Sequence, residues 1–281
     1  MNQRLVFFGT PLFAFITLKK LLDANYLVVG VVTQKNTREP SLVERLAHTH
    51  RIPVFTTPHQ LSAALGSRGV DLGIVAAYGQ LLPKHLIEQF PKGILNIHFS
   101  LLPKYRGPAP VPWSILNGER ATGVTIFMLD ADLDTGAVIA QHTEKIAPDE
   151  TADSLYNRLA DLGSELLLAI LPDYLEGKIP GTPQVETEAS FAPRITKQDG
   201  FIEAAHPPMD LERRIRALYP WPKVWTIVEV KGGTRRLLLL PGNTAQLEGK
   251  KPVRFRQLLE GYPRLKEQLA LVQKLLSAGT A

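Results

Sequence analysis

The chain has 281 residues, of which 44% are hydrophobic and 21% are charged, a composition typical of a folded globular protein with a sizeable core. It contains no cysteine, which excludes disulfides, thiol catalysis and iron–sulfur ligation and fits a reducing, cytoplasmic location. The N-terminal residues lack a signal-peptide pattern, and no apolar run is long enough to cross a bilayer, so we expect no membrane partner.

The net charge of +5 is unevenly distributed along the chain. Residues 191–281 carry 16 Lys and Arg against 8 Asp and Glu, whereas residues 1–190 carry 16 against 19. A basic C-terminal part on a slightly acidic body predicts a polyanionic partner for that part. The alternative interpretation is an ordinary solvated surface.

Strands and helices alternate over the first 80 residues. The apolar runs predict strands at residues 4–8, 27–32, 53–55 and 71–76 and a helix at residues 12–22. Ser41 and Glu44 match a capping box that opens a second helix. This alternation predicts βαβ units and a parallel sheet, with ligands bound at the carboxyl ends of the strands. The first turn contains Gly9 but no G-x-G-x-x-G, which argues against a dinucleotide cofactor.

Two polar residues lie at the end of the next apolar run. Asn96 and His98 follow Ile94 and Leu95, and two residues apart in an extended segment they face the same side. The proline-rich segment after them predicts a long, stiff loop beside the pair. An acidic loop farther along the chain can bring Asp134 to the same place.

An amide, an imidazole and a carboxylate suit the transfer of a formyl or acyl group to an amine. The Asn96 amide can donate to the oxyanion that develops on the carbonyl oxygen. His98 can donate to that oxygen or accept the proton that the amine loses. Asp134 can orient the imidazole and favour its charged form. The three residues fill these roles without a metal or a covalent intermediate.

Simpler interpretations exist for each of these residues. On local sequence alone, His98 is more often a buried structural histidine, and Asp134 could be a turn aspartate before Gly136. A metal site is not indicated, because only His48 and His50 lie close together and H-E-x-x-H is missing. Ser100 lacks the G-x-S-x-G elbow of a serine hydrolase.

The middle of the chain predicts a short helix, two strands and a long helix. The short helix is expected at residues 111–116, and the two strands at residues 122–128 and 137–142 flank the acidic loop. Helical spacing predicts a helix over residues 151–175, whose core face carries Leu155, Leu159, Leu162, Leu166 and Ile170.

Residues 177–190, with Pro180, Gly181 and Pro183, predict a linker. We therefore expect a catalytic domain at residues 1–190 and a basic C-terminal domain at residues 191–281. In the latter, the pattern predicts a helix at 209–218, paired strands at 225–230 and 235–240, and a basic loop at 246–252. Leu265, Leu269, Val272 and Leu276 fall on one face of a final helix.

Four motifs together resemble the folate-dependent formyltransferase family. They are Asn96-Ile97-His98, Ser100-Leu101-Leu102-Pro103, Arg106-Gly107 and Leu133-Asp134-Thr135-Gly136. The resemblance implies a Rossmann-like, mostly parallel formyltransferase domain followed by a small, shortened OB-like β-rich domain. It also implies catalysis by Asn96, His98 and Asp134, with 10-formyltetrahydrofolate as co-substrate and no metal. The residues implied in folate binding lie mainly in loops that would cradle the pterin, and are Tyr78, Gly79, Leu81, Leu82, Ser100, Leu101, Leu102, Pro103 and Asp130.

Further segments are similar to family members that formylate methionyl-tRNA. They lie at residues 6–14, 76–79, 213–217, 220–222 and 246–252. The resemblance implies initiator methionyl-tRNA as the acceptor, hence a role in translation initiation, and we expect a monomeric cytoplasmic enzyme. The implied RNA contacts are six basic residues: Lys35, Arg38, Arg213, Arg216, Lys250 and Lys251.

Other acceptors remain open at the level of sequence. Sugar-nucleotide N-formyltransferases share the catalytic core, and they are the main alternative. Family members that act on tRNA carry a basic insertion after the second strand, where residues 33–41 of this chain pass straight to the helix. The C-terminal module is also expected to lack several strands. A glycinamide ribonucleotide formyltransferase would end near the linker, and a degenerate relative would bind folate or RNA without turnover.

Overall fold

The computed structural model describes residues 3–35, 39–65 and 69–278, and they pack as two compact units. The first unit comprises Met1–Pro110, Ala121–Lys145 and Tyr156–Ala192. The second comprises Val111–Arg120, Ile146–Leu155 and Pro193–Ala281. The second unit therefore takes in two segments that precede residue 190. The division into domains at residue 190 stays a prediction.

A seven-stranded sheet forms the centre of the first unit. Its strands are β1 (Arg4–Gly9), β2 (Leu27–Val32), β3 (Val54–Phe55), β4 (Leu72–Ala76), β5 (Ile94–His98), β6 (Ala121–Met128) and β7 (Val138–Lys145), in the order β3-β2-β1-β4-β5-β6-β7. The first five pair in parallel, whereas β6 and β7 pair antiparallel. The predicted mostly parallel α/β fold is confirmed, with an antiparallel pair at one edge.

Helices alternate with these strands along the chain. They are α1 (Leu12–Asp23), α2 (Leu42–Thr49), α3 (Pro58–Leu65), α4 (Lys84–Ile87), α5 (Pro110–Leu116) and α6 (Ala152–Leu175). The predicted start of α2 is correct, because the Ser41 side chain accepts a hydrogen bond from the Glu44 amide at 3.1 Å.

The predicted core face of α6 is only partly correct. Leu155 and Leu159 are buried, but Leu162, Leu166 and Ile170 are partly exposed, and Leu167 and Leu171 are buried instead. The run of consecutive leucines after residue 164 supports more than one apolar stripe, so that the spacing alone does not select the buried one.

Helix α6 packs closely on one face of the sheet at Gly163. A Cβ atom at this position would lie 2.7 Å from the Ile97 side chain and 2.9 Å from Val124, so only glycine permits the approach. Because side chains alternate along β5, Ile97 faces α6 whereas Asn96 and His98 face the opposite side of the sheet. The sheet thus separates the polar pair from the α6 layer.

A four-stranded antiparallel meander forms the sheet of the second unit. Its strands are β8 (Val224–Val230), β9 (Gly233–Leu240), β10 (Thr244–Leu247) and β11 (Val253–Arg254), in the order β11-β10-β9-β8. The helices of this part are α7 (Leu211–Ala217), α8 (Phe255–Gly261), α9 (Leu265–Gln268) and α10 (Ala270–Ala278). The small β-rich C-terminal part is confirmed.

Two local predictions in this part are wrong. Gln246 and Leu247, expected in a basic loop, belong to β10 and pair with Leu238 and Leu237 because the turn at residues 241–243 reverses the chain early. The final helix is two helices separated at Leu269, although the four predicted apolar residues are all buried. Among the described residues, no helix is both long and apolar enough to cross a membrane.

Candidate active site

The end of β5 presents Asn96 and His98 on one face. Asn96 is half-buried, and its side-chain amide has no hydrogen-bond partner among the described residues. His98 is 6% exposed and packs edge-on against the Phe127 ring, with the ring centroids 6.3 Å apart. The strand therefore holds a free amide donor and an oriented imidazole two residues apart.

The main chain selects the tautomer of His98. Its Nε2 lies 2.9 Å from the backbone carbonyl oxygen of Tyr105. Because a carbonyl only accepts hydrogen bonds, Nε2 carries the proton, a tautomer assigned from its partner. The other ring nitrogen, Nδ1, lies 3.6 Å from Oδ2 of Asp134. In the neutral ring Nδ1 holds the lone pair, and a second proton there would point to the carboxylate.

Asp134 reaches this position from the acidic loop between β6 and β7. Its Oδ2 accepts a hydrogen bond from the Gly107 amide at 2.7 Å, and the residue is 9% exposed. Its backbone has a φ of 55°, in the left-handed region that an Asp tolerates better than most residues. The sequence-based juxtaposition of His98 and Asp134 is found in the structure.

Arg106 and Gly107 form a turn that links the loop after β5 to the acidic loop between β6 and β7. Gly107 has a φ of 122°, and a Cβ there would lie 2.7 Å from the Ala192 carbonyl oxygen. Arg106 is 2% exposed, and its guanidinium makes a two-pronged ion pair with Glu186, at 2.7 and 2.9 Å. The hydrogen bonds to Glu186, with smaller contributions from Asp130 and Asp134, raise the pKa of Arg106. The guanidinium therefore stays charged although it is buried.

The loop after β4 contains four of the residues predicted to bind folate. Leu81 is 78% exposed, whereas Tyr78 and Leu82 are buried. Gly79 has a φ of 74°, and the Gln34 side chain donates to the Tyr78 carbonyl oxygen at 2.8 Å. This loop thus offers an apolar side chain and backbone groups to a flat, polar-edged ring.

The remaining residues predicted to bind folate lie in the loop after β5, except for Asp130, which follows β6. The Ser100 hydroxyl donates to the Lys104 carbonyl oxygen at 2.6 Å, and Leu102 is buried, while Leu101 and Pro103 are half-buried. The Asp130 carboxylate accepts from the Thr135 hydroxyl at 2.8 and 2.9 Å. Ser100 and Asp130 thus stabilise their own loops, and their contacts to folate stay predictions.

The residues predicted to contact RNA differ in accessibility. Lys35, Lys250 and Lys251 are exposed, whereas Arg38 lies outside the described residues. The Arg213 side chain is 40% exposed, and its Nη2 lies 3.6 Å from Oδ2 of Asp210. Arg216 is engaged within the second unit, since its guanidinium donates to Glu212 at 2.8 Å and to the Glu150 carbonyl oxygen at 2.9 Å. These RNA contacts stay predictions, and the exposed lysines have the charged groups most available to phosphate.

Sequence reasoning missed Gln184 and Glu186, which approach the site from the segment predicted as a linker. Glu186 pairs with Arg106, and Gln184 donates to the backbone of the Asp134 loop. Nothing in their local pattern marks them, because both contacts join positions that are far apart in the chain. Within the described residues, no group of three or more His, Asp or Glu side chains is placed to hold a metal ion.

Comparisons with known proteins place these motifs in a family. The formyl transferase family model matches residues 3–171, and the model of the formyl transferase C-terminal domain matches residues 194–241. The chain is 38% identical over 240 residues to a methionyl-tRNA formyltransferase of Geobacter sulfurreducens, covering 81% of this chain and 75% of that protein. It is 41% identical over 235 residues to the methionyl-tRNA formyltransferase of Idiomarina loihiensis, covering 79% and 74%.

Solved structures resemble the chain at the level of the fold. The sugar 3N-formyl transferase WlaRD, determined with dTDP and 5-N-formyl-THF, has a TM-score of 0.66 and 21% sequence identity. The match covers 89% of this chain and 100% of that one. At this identity the likeness shows the shared fold alone.

Proposed function

The chain belongs to the formyl transferase family, and we propose that it transfers a formyl group from 10-formyltetrahydrofolate to the amino group of initiator methionyl-tRNA. The observation that carries the proposal is that Asp134 lies 3.6 Å from His98, which shares a face of β5 with Asn96, within motifs that the family model matches. The curated relatives at 38–41% identity, which are named methionyl-tRNA formyltransferases, favour this acceptor over an amino-sugar nucleotide.

Each of the three side chains has a proposed role, and the positions of His98 and Asp134 support it. Asn96 donates its unpartnered amide N–H to the oxygen of the formyl group as that oxygen gains negative charge. His98 accepts the proton of the attacking amine at Nδ1, the ring nitrogen that holds the lone pair. Asp134 stabilises the resulting imidazolium from 3.6 Å and keeps the ring oriented.

The bond changes in the proposed reaction are those of a simple acyl transfer. A bond forms between the amine nitrogen and the formyl carbon, and the bond from that carbon to N10 of the folate breaks. His98 takes up the proton that the amine loses and can return it to the departing nitrogen. The reaction therefore balances with the side chains present and leaves tetrahydrofolate as the second product.

The loops beside β5 support folate as the formyl donor. Residues 77–83 contribute the exposed Leu81 side chain together with backbone polar groups, and residues 129–134 contribute the acidic loop that ends at Asp134. A pterin has an apolar face and an edge of hydrogen-bond donors and acceptors. The residues of these loops fit such a ring, because they combine apolar and backbone polar groups.

The acceptor is tested by offering labelled 10-formyltetrahydrofolate with methionyl-tRNA and, separately, with amino-sugar nucleotides. We expect the label to appear on the methionine of the tRNA and not on the sugars. Labelling of the sugars alone would refute the proposed acceptor. Turnover with neither class, although the donor binds, would refute the formyl-transfer proposal and favour a degenerate binding protein.

A further inference from the structure

The segment from Gln184 to Ala192, here termed the strap, is pinned to the loop that follows β5. The Arg106 amide donates to the Ser190 carbonyl oxygen at 2.8 Å, and the Ala192 amide donates to the Arg106 carbonyl oxygen at 2.7 Å. The Tyr105 amide donates to the Ser190 hydroxyl at 2.9 Å. Ser190, predicted to belong to a linker, and Ala192 are therefore fixed beside the residues that contact His98 and Asp134.

Gln184, at the start of the strap, uses both ends of its side-chain amide. Its Oε1 accepts from Nε and Nη2 of Arg106 at 3.1 and 2.9 Å. Its Nε2 donates to the backbone carbonyl oxygens of Asp134 and Gly136 at 2.9 and 2.8 Å. An amide with both donors and its acceptor engaged holds its partners in one geometry.

These contacts hold the Asp134 loop from two directions. Gln184 binds the backbone of Asp134, while the Gly107 amide, next to Arg106, binds the Asp134 carboxylate. Arg106 connects these two contacts, since its guanidinium bonds to Gln184 and is itself fixed by Glu186. The Asp134 carboxylate cannot shift relative to His98 without breaking hydrogen bonds of this network.

We propose that Gln184 is a positioning residue, which places the Asp134 carboxylate against Nδ1 of His98 through the Asp134 backbone. Gln184 does not touch the reacting atoms, so its effect is on the geometry of the pair. The inference rests on the proposed function for its kinetic consequence, but the placement of Asp134 is measurable without any acceptor. Fixed placement matters because a displacement of about 1 Å can cost about 10²-fold in rate.

The test replaces Gln184 by Met, which is similar in shape but loses all four hydrogen bonds. We expect kcat to fall about tenfold or more, while KM for the folate stays within about threefold, because the bound substrate meets a misplaced carboxylate. Glu188→Gln is the matched control, since Glu188 lies on the same strap and is exposed. The control should keep the kcat of the unchanged enzyme, and both variants are checked for unfolding by thermal melts.

A second variant separates positioning from folding. Gln184→Glu keeps the size of the side chain and an acceptor for Arg106, but loses the N–H groups that bind the Asp134 and Gly136 carbonyl oxygens. We expect it to lose kcat as Gln184→Met does, and thermal melts of the two variants show whether the loss of kcat exceeds the loss of folded enzyme. A loss of kcat only in variants that also unfold would overturn the positioning role.

An NMR measurement makes the inference independent of turnover. The ring nitrogen resonances of His98 report which nitrogen carries a proton and what it faces, and we expect them to shift in both Gln184 variants but not in Glu188→Gln. Unchanged His98 resonances together with unchanged kcat would overturn the inference. An unchanged enzyme that formylates no acceptor would instead refute the proposed function, and the resonances would still decide the role of Gln184.

Discussion

At the scale of single residues, the chemistry of the site depends on which polar atoms are engaged in hydrogen bonds within the protein and which remain available to the substrate. The Nε2–H of His98 donates a hydrogen bond to the Tyr105 carbonyl oxygen, so Nδ1 alone is available for proton transfer. Asp134 uses Oδ2 to accept from Gly107 while the same atom faces the imidazole. Asn96 has no partner among the described residues, and its amide therefore remains free for the substrate oxygen. This division of roles gives Asn96 a specific kinetic signature.

Replacing Asn96 by Ala should lower kcat by about 10²–10³-fold, the usual effect of losing one oxyanion donor. The folate affinity should change little, because the donor is needed mainly when charge develops on the oxygen. Single-turnover rates and the equilibrium binding of folate separate the two effects. A variant that loses folate affinity and keeps its single-turnover rate would move Asn96 from the transition state to ground-state binding.

At the scale of elements, β5 and the loop after it supply the main-chain groups that hold the site together. The period of two along β5 places Asn96 and His98 together, and the loop returns the Tyr105 carbonyl and the Gly107 amide to His98 and Asp134. The Arg-Gly motif has a physical reason at each position. The buried Arg106 bonds to the strap, and Gly107 adopts a backbone conformation that leaves no space for a side chain.

Gly107→Ala should therefore destabilise the fold and lower activity together. Its Cβ would meet the Ala192 carbonyl oxygen at 2.7 Å, and the positive φ adds strain. Gly232→Ala is the control, because Gly232 has a φ of 101° and nothing within 4 Å of the added atom. Denaturant unfolding should show Gly107→Ala to be less stable than the control by about 1–3 kcal/mol. Equal losses in the two variants would show that backbone strain alone matters.

The elements of the site differ in how far the sequence could predict them. Asn96 and His98 were predictable because alternation along a strand is a local property, and Asp134 followed from its motif. Gln184 was not, because its bond to Asp134 spans 50 residues and its surroundings read as a Pro- and Gly-containing linker. Gln246 and Leu247 were likewise assigned to a loop, because the basic residues after Leu247 obscure the short strand to which they belong. Long-range hydrogen bonds of this kind leave no periodic trace in the sequence.

At the scale of the whole molecule, net charge is unevenly distributed along the chain. The excess of Lys and Arg after residue 190 includes the exposed pair Lys250 and Lys251, which lie between β10 and β11. Such a distribution is typical of a protein that binds a phosphate backbone. The predicted acceptor, a tRNA, would release counterions on binding, and this makes its affinity sensitive to salt.

We expect the Kd for tRNA to rise steeply with salt concentration. Replacing both Lys250 and Lys251 by Ala should reduce the slope of log Kd against log salt by about 1 to 2. Lys178→Ala is the control, because Lys178 already pairs with Glu176 and Asp173 and lies in the first unit. Titrations at several salt concentrations measure the slopes. An affinity insensitive to salt, or an unchanged slope in the double variant, would contradict phosphate contacts at these lysines.

In the proposed mechanism His98 moves the proton, and the single-turnover rate of formyl transfer by His98→Ala tests this role. His142→Ala serves as the control, since His142 lies on β7 with its side chain 48% exposed. We expect His98→Ala to lose transfer by about 10²-fold or more while it still binds the folate, and His142→Ala to keep both. A His98→Ala enzyme that transfers the formyl group at the unchanged rate would refute proton transfer by His98.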